Sequence, residues 1–115
     1  MENGNITYKG KAYAIVFNLN VMEAIQEEYG TLDEWGALTD GTSKNGEPDA
    51  KAVIFGFREM INEGIDIANE ENGTDDKPLT LKQVGRIISE VGLENATATM
   101  NETVIESTKG DEKNE

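Results

Sequence analysis

Asp49-Ala50-Lys51-Ala52-Val53-Ile54-Phe55-Gly56-Phe57-Arg58-Glu59-Met60-Ile61-Asn62-Glu63-Gly64-Ile65-Asp66-Ile67-Ala68-Asn69 is the stretch on which the fold turns. At about 100° per residue, Ala50, Val53, Phe57, Met60, Ile61, Gly64 and Ala68 share one broad face. Glu59, Glu63, Asp66 and Glu70 form a narrow acidic stripe opposite. The spacing predicts a long, two-sided helix beginning at Pro48 or Asp49. Gly56 and Gly64 lower its intrinsic propensity and mark either close packing or a bend. Phe55 falls beside the stripe, away from Val53 and Phe57. It either meets the N-terminal segment or a later helix, or stands as an exposed aromatic anchor for a partner, flanked by acid.

Outward from this helix, the pattern remains helical on both sides. Downstream, residues 70–78 are polar turn chemistry. Thr80-Leu81-Lys82-Gln83 is then a capping box, and Leu81, Val84, Ile88 and Val91 make a stripe that ends at Gly92. Leu93, Ala96, Met100 and Val104 suggest a further helix, weakened by Thr97, Thr99 and Thr103, which lose side-chain freedom in helices. Residues 107–115 contain no apolar side chain and read as a disordered acidic tail. Upstream, residues 39–49 form a loop, and Thr31 to Glu34 is another capping box, opening a short helix whose Leu32, Trp35 and Leu38 can face the core. Asn20, three residues before Glu23, opens a helix carrying Met22, Ile25 and Tyr29 and closing at Gly30. Residues Ile6 to Phe17 alternate around Lys9-Gly10-Lys11, the pattern of a β-hairpin. The expected fold is α+β and mostly helical: an N-terminal hairpin followed by about five helices. It makes one globular domain, residues 1–106, with the tail at 107–115.

Composition narrows the chemistry. Among 115 residues there is no cysteine and no histidine. Disulfides, thiolate metal sites, Ser-His-Asp and Cys-His catalysis are therefore impossible. The net charge of −13 repels phosphate backbones and anionic membrane surfaces, so neither nucleic acid nor membrane is expected as a partner. The residues at Met1 to Tyr8 are polar and unlike a signal peptide, and the longest apolar runs are too short to cross a bilayer. A cytoplasmic location is expected. Calcium loops fail on both candidates. Counted from Asp40, position twelve is Lys51; from Asn72, it is Gln83. The paired carboxylates Glu23/Glu27 and Glu59/Glu63 lie on polar faces, where nothing raises a pKa for acid work. No catalytic residue, no metal site and no cofactor is expected, and the chain reads as a binding protein rather than an enzyme. Candidate partner-binding residues are Phe55, Glu59, Glu63, Asp66 and Glu70.

Several segments together resemble the tail assembly chaperones of long-tailed bacteriophages and prophages. They are Ile6-Thr7-Tyr8-Lys9-Gly10-Lys11, Phe17-Asn18-Leu19-Asn20, Ile25-Gln26-Glu27-Glu28-Tyr29-Gly30, Asn62-Glu63-Gly64-Ile65-Asp66-Ile67 and Lys77 to Arg86. The resemblance implies a helical protein of virion morphogenesis that works in the host cytoplasm and is absent from the mature virion. It implies that the chain binds the tape measure protein and recruits tail tube subunits; self-association stays open. Many members of the family also have a longer form made by ribosomal frameshifting. Glu112-Lys113-Asn114-Glu115 is compatible with a slippery A-rich coding stretch and equally with a plain charged tail. The competing reading is an acidic inhibitor, a nucleic-acid mimic that uses the stripe at Glu59, Glu63, Asp66 and Glu70 to block a host or phage protein.

Overall fold

A two-residue turn sets the first element of the computed structural model, which describes residues 4–41 and 46–113. Lys9 and Gly10 both take positive φ, 52° and 79°, the twist that suits a tight hairpin. Strands β1 (Gly4–Tyr8) and β2 (Lys11–Ile15) pair antiparallel, with Ile6 opposite Tyr13 and Tyr8 opposite Lys11. Five helices follow: α1 (Leu19–Tyr29), α2 (Leu32–Thr39), α3 (Ala50–Asn72), α4 (Leu81–Val91) and α5 (Leu93–Lys113). The expected α+β, mostly helical architecture is what the chain adopts.

Helix α3 is the axis on which the other elements pack. Its Val53, Phe57, Met60 and Ile61 are fully buried, together with Ile15, Ile25, Val84 and Met100 from the surrounding elements. Both of its interior glycines are sites of close approach. A Cβ at Gly64 would lie 2.7 Å from the Ala14 carbonyl oxygen, and one at Gly56 would penetrate the Trp35 ring. The hairpin is thereby held backbone to backbone against α3, and the Val16 N–H donates to the Met60 carbonyl at 3.2 Å. Trp35 locks α2 to the same helix: its indole Nε1 donates to the Ala52 carbonyl at 3.1 Å.

The helix starts follow local chemistry, with one correction. Thr31 accepts from the Glu34 N–H at 3.0 Å. At Thr80 the reciprocal box with Gln83 is complete. Helix α1, however, is capped by Asn18 and not by Asn20. Asn18 has the extended backbone a cap needs and accepts from the Val21 N–H at 3.2 Å. Asn20 lies inside the first turn.

Helix α5 is also firmer than its threonines suggest. The Thr97, Thr99 and Thr103 hydroxyls each donate to the carbonyl four residues earlier, at 2.7, 3.0 and 2.9 Å. This satisfies Thr97 and Thr103 where they are buried. The helical backbone continues past the expected boundary at residue 106 to Lys113. Ser107 belongs to the packed structure, since its hydroxyl donates to the Phe17 carbonyl at 3.1 Å. Residues 114–115, like the loop tip at 42–45, lie outside the described residues.

Candidate partner-binding groove

Helix α4 runs back along α3, and the turn between them is fastened by asparagine side chains. Asn62 holds both polar groups of Leu79: its amide nitrogen donates to the carbonyl at 3.1 Å, and its oxygen accepts the N–H at 2.8 Å. Asn69 does the same for Asp76, at 3.0 and 2.9 Å. With the entry of α4 fixed near Asn62, Gly85 comes to lie over Ile54.

That pairing leaves an open groove of about 1160 Å³ between the two helices. One wall carries Lys51, Ile54, Phe55 and Arg58 of α3. The other carries Leu81, Lys82, Gly85, Arg86, Ser89 and Glu90 of α4, and Glu28 and Tyr8 close its edges. The spacings along both helices follow a single face. The floor is apolar. Leu81, the first residue of the apolar stripe read from sequence, is 47% exposed here. Gly85 adds no side chain, so Ile54 reaches the surface of the groove.

Phe55 is the most elaborately held residue of the floor. It is half-buried, and it meets the Tyr29 ring edge-on with centroids 5.6 Å apart at 72°. The Arg58 guanidinium lies 5.7 Å from its ring centre, within reach of a cation–π attraction. Arg58 in turn pairs with Glu59 at 2.7 Å. Beneath this cluster the Tyr29 hydroxyl is buried and finds no hydrogen-bond partner among the described residues. Burial pushes the Tyr29 phenol above its ordinary pKa, and the nearby carboxylates of Asp49 and Glu28 add to the rise.

The charge of the groove runs against that of the molecule. Of ten lysines and arginines in the chain, four line it, including both arginines, against two carboxylates. Sequence reading missed this grouping. Its signal was present in the i, i+4 spacing of Lys82 and Arg86 and the i, i+7 spacing of Lys51 and Arg58, but only the packing of α4 on α3 brings the two pairs together.

The acids singled out from sequence are placed differently from Phe55. Glu59 is half-buried in its pair with Arg58. Glu63 accepts from the side-chain amides of Asn18 at 2.8 Å and Asn20 at 3.1 Å. It thereby supplies a negative charge at the N-terminus of α1, where the helix dipole favours one. Asp66 and Glu70 are exposed. Among the described residues no group of three or more metal-ligating side chains converges. None of their helices is long and apolar enough to cross a membrane. No family model matches the chain, and comparison with the curated proteins and the solved structures gives no match.

Proposed function

We propose that this chain is a tail assembly chaperone of the long-tailed bacteriophage type. It binds the tape measure protein, keeps it soluble and recruits tail tube subunits in the host cytoplasm, without remaining in the finished virion. The segments quoted above supply the resemblance. The observation that carries the reading is the α3–α4 groove. It offers an apolar floor at Ile54, Phe55 and Leu81 on a molecule whose net charge of −13 favours solubility. A long helical client needs both: grip for its apolar stripe and a coat that repels other coated clients. The role requires no catalytic residue, metal or cofactor.

The acidic-inhibitor reading draws less support. Two of the four stripe carboxylates, Glu59 and Glu63, are engaged inside the protein, which leaves a short and interrupted row to imitate a phosphate backbone. The test is co-expression with the tape measure protein of the same phage or prophage. The chaperone reading expects that protein to become soluble and to co-purify with this chain. An insoluble client beside a folded, soluble chain would overturn it, and so would a coding neighbourhood without tail genes.

A further inference from the structure

We infer that the α3–α4 groove binds an acidic amphipathic helix of the partner protein. The inference rests on the reading of the chain as a partner-binding chaperone and specifies the segment that it grips.

The argument begins with dimensions. The α3 wall from Lys51 to Arg58 and the α4 wall from Leu81 to Glu90 span about 11 and 14 Å at the helical rise. That length matches two to three turns of a docked helix. The groove holds about 1160 Å³, ample for the apolar stripe of such a segment. Two helices that present a shallow apolar floor accept a third by laying its i, i+3, i+4, i+7 side chains into the seam. Gly85 keeps the seam open, because it puts no side chain over Ile54, whose Cδ1 lies 3.6 Å from where a Cβ would stand.

Charge selects which helix. Lys51, Arg58, Lys82 and Arg86 flank the floor on both walls, in a chain whose remaining surface is acidic. A helix bearing Glu or Asp beside its apolar stripe gains attraction from these cations, which outnumber the lining carboxylates Glu28 and Glu90, while a basic helix meets net repulsion. The acidic surface outside the groove then favours an approach in which the anionic flanks of the partner meet these four cations. A polyphosphate fits poorly. It has no apolar stripe to set on Ile54, Phe55 and Leu81.

The test uses a fluorescein-labelled synthetic peptide of about four helical turns, with leucine at the i, i+3, i+4, i+7 positions and glutamate on both flanks. A second peptide carries lysine in place of every glutamate. The glutamate peptide is expected to bind the full chain at least about 10-fold more tightly than the lysine peptide, with an advantage that shrinks as salt is raised. The triple variant Lys51→Glu/Lys82→Glu/Arg86→Glu changes only exposed side chains. It is expected to bind the glutamate peptide at least about 10-fold more weakly. Gly85→Leu, which fills the seam while improving helix propensity, is expected to abolish binding of both peptides. Equal binding of the two peptides, unchanged binding by the triple variant with a native circular dichroism spectrum, or equal displacement by a single-stranded oligonucleotide would each overturn the inference. A triple variant that fails with the peptide but still solubilises the tape measure protein overturns the inference alone. Binding of the glutamate peptide by a chain that never engages the tape measure protein overturns the function proposed above and leaves the groove's selectivity standing.

Discussion

The sharpest residue-scale contrast is between glycines in different settings. Gly36, in α2, has open space where a Cβ would stand, whereas a Cβ at Gly56 would enter the Trp35 ring. Gly36→Ala should stabilise the protein by about 0.5–1 kcal/mol through helix propensity. Gly56→Ala should destabilise it by about 1–3 kcal/mol through overpacking. Urea denaturation of both variants, followed by Trp35 fluorescence, measures the pair. Tyr29 makes a second residue-scale prediction. Its buried hydroxyl has no partner among the described residues, so Tyr29→Phe should be neutral or stabilising by up to about 1 kcal/mol. The phenol's raised pKa also fixes the sign of a pH effect. The folded protein keeps Tyr29 neutral at a pH where the unfolded chain ionises it. This contribution is intact below about pH 10, the unfolded tyrosine value, and is lost as pH rises through the folded value. Melting temperatures recorded between neutral and alkaline pH should therefore fall less steeply for Tyr29→Phe than for the parent. An equal or steeper fall would show that Tyr29 is not responsible.

Among the elements, those fixed by neighbours in sequence were the legible ones. The hairpin turn, the Thr31 and Thr80 caps and the apolar face of α3 all follow from residues within four positions of one another. What escaped depends on contacts across the chain. Leu81 continues the apolar stripe of α4, and nothing local reveals that no other element covers it. Asn18 and Asn20 are equally good caps by type; the burial of Phe17, which fixes where the chain enters the helix with Asn18 extended, decides between them. The asparagine fastenings of the α3–α4 turn were likewise invisible, because a polar loop reads as loose unless its partners are known. Asn62→Ala strips the half-buried Leu79 N–H and carbonyl of their partner. It should cost about 1–3 kcal/mol, measured by thermal unfolding, and should weaken binding at the groove because α4 loses its fixed entry. A variant as stable as the parent would mean that the turn is held by other means.

At the scale of the whole molecule, the last helix completes the core that the first strands begin. Met100 is fully buried while Ile105, on the same helix, is 55% exposed. Met100→Ala should cost about 2–5 kcal/mol and Ile105→Ala less than about 0.5 kcal/mol, both read from urea midpoints. Similar values for the two would mean that α5 is not docked as described. The groove was only half legible at this scale: Phe55 stood out by its position on the helix, but the basic rim needed the tertiary arrangement. The bond from Ser107 to Phe17 spans 90 positions, and α5 packs directly on β1. During synthesis the hairpin therefore leaves the ribosome before the helix that covers it has been made. At ordinary elongation speeds the delay is about 5–20 s. In that interval α3 can back the β2 side of the hairpin, but the side of β1 on which α5 packs faces water on a nascent chain.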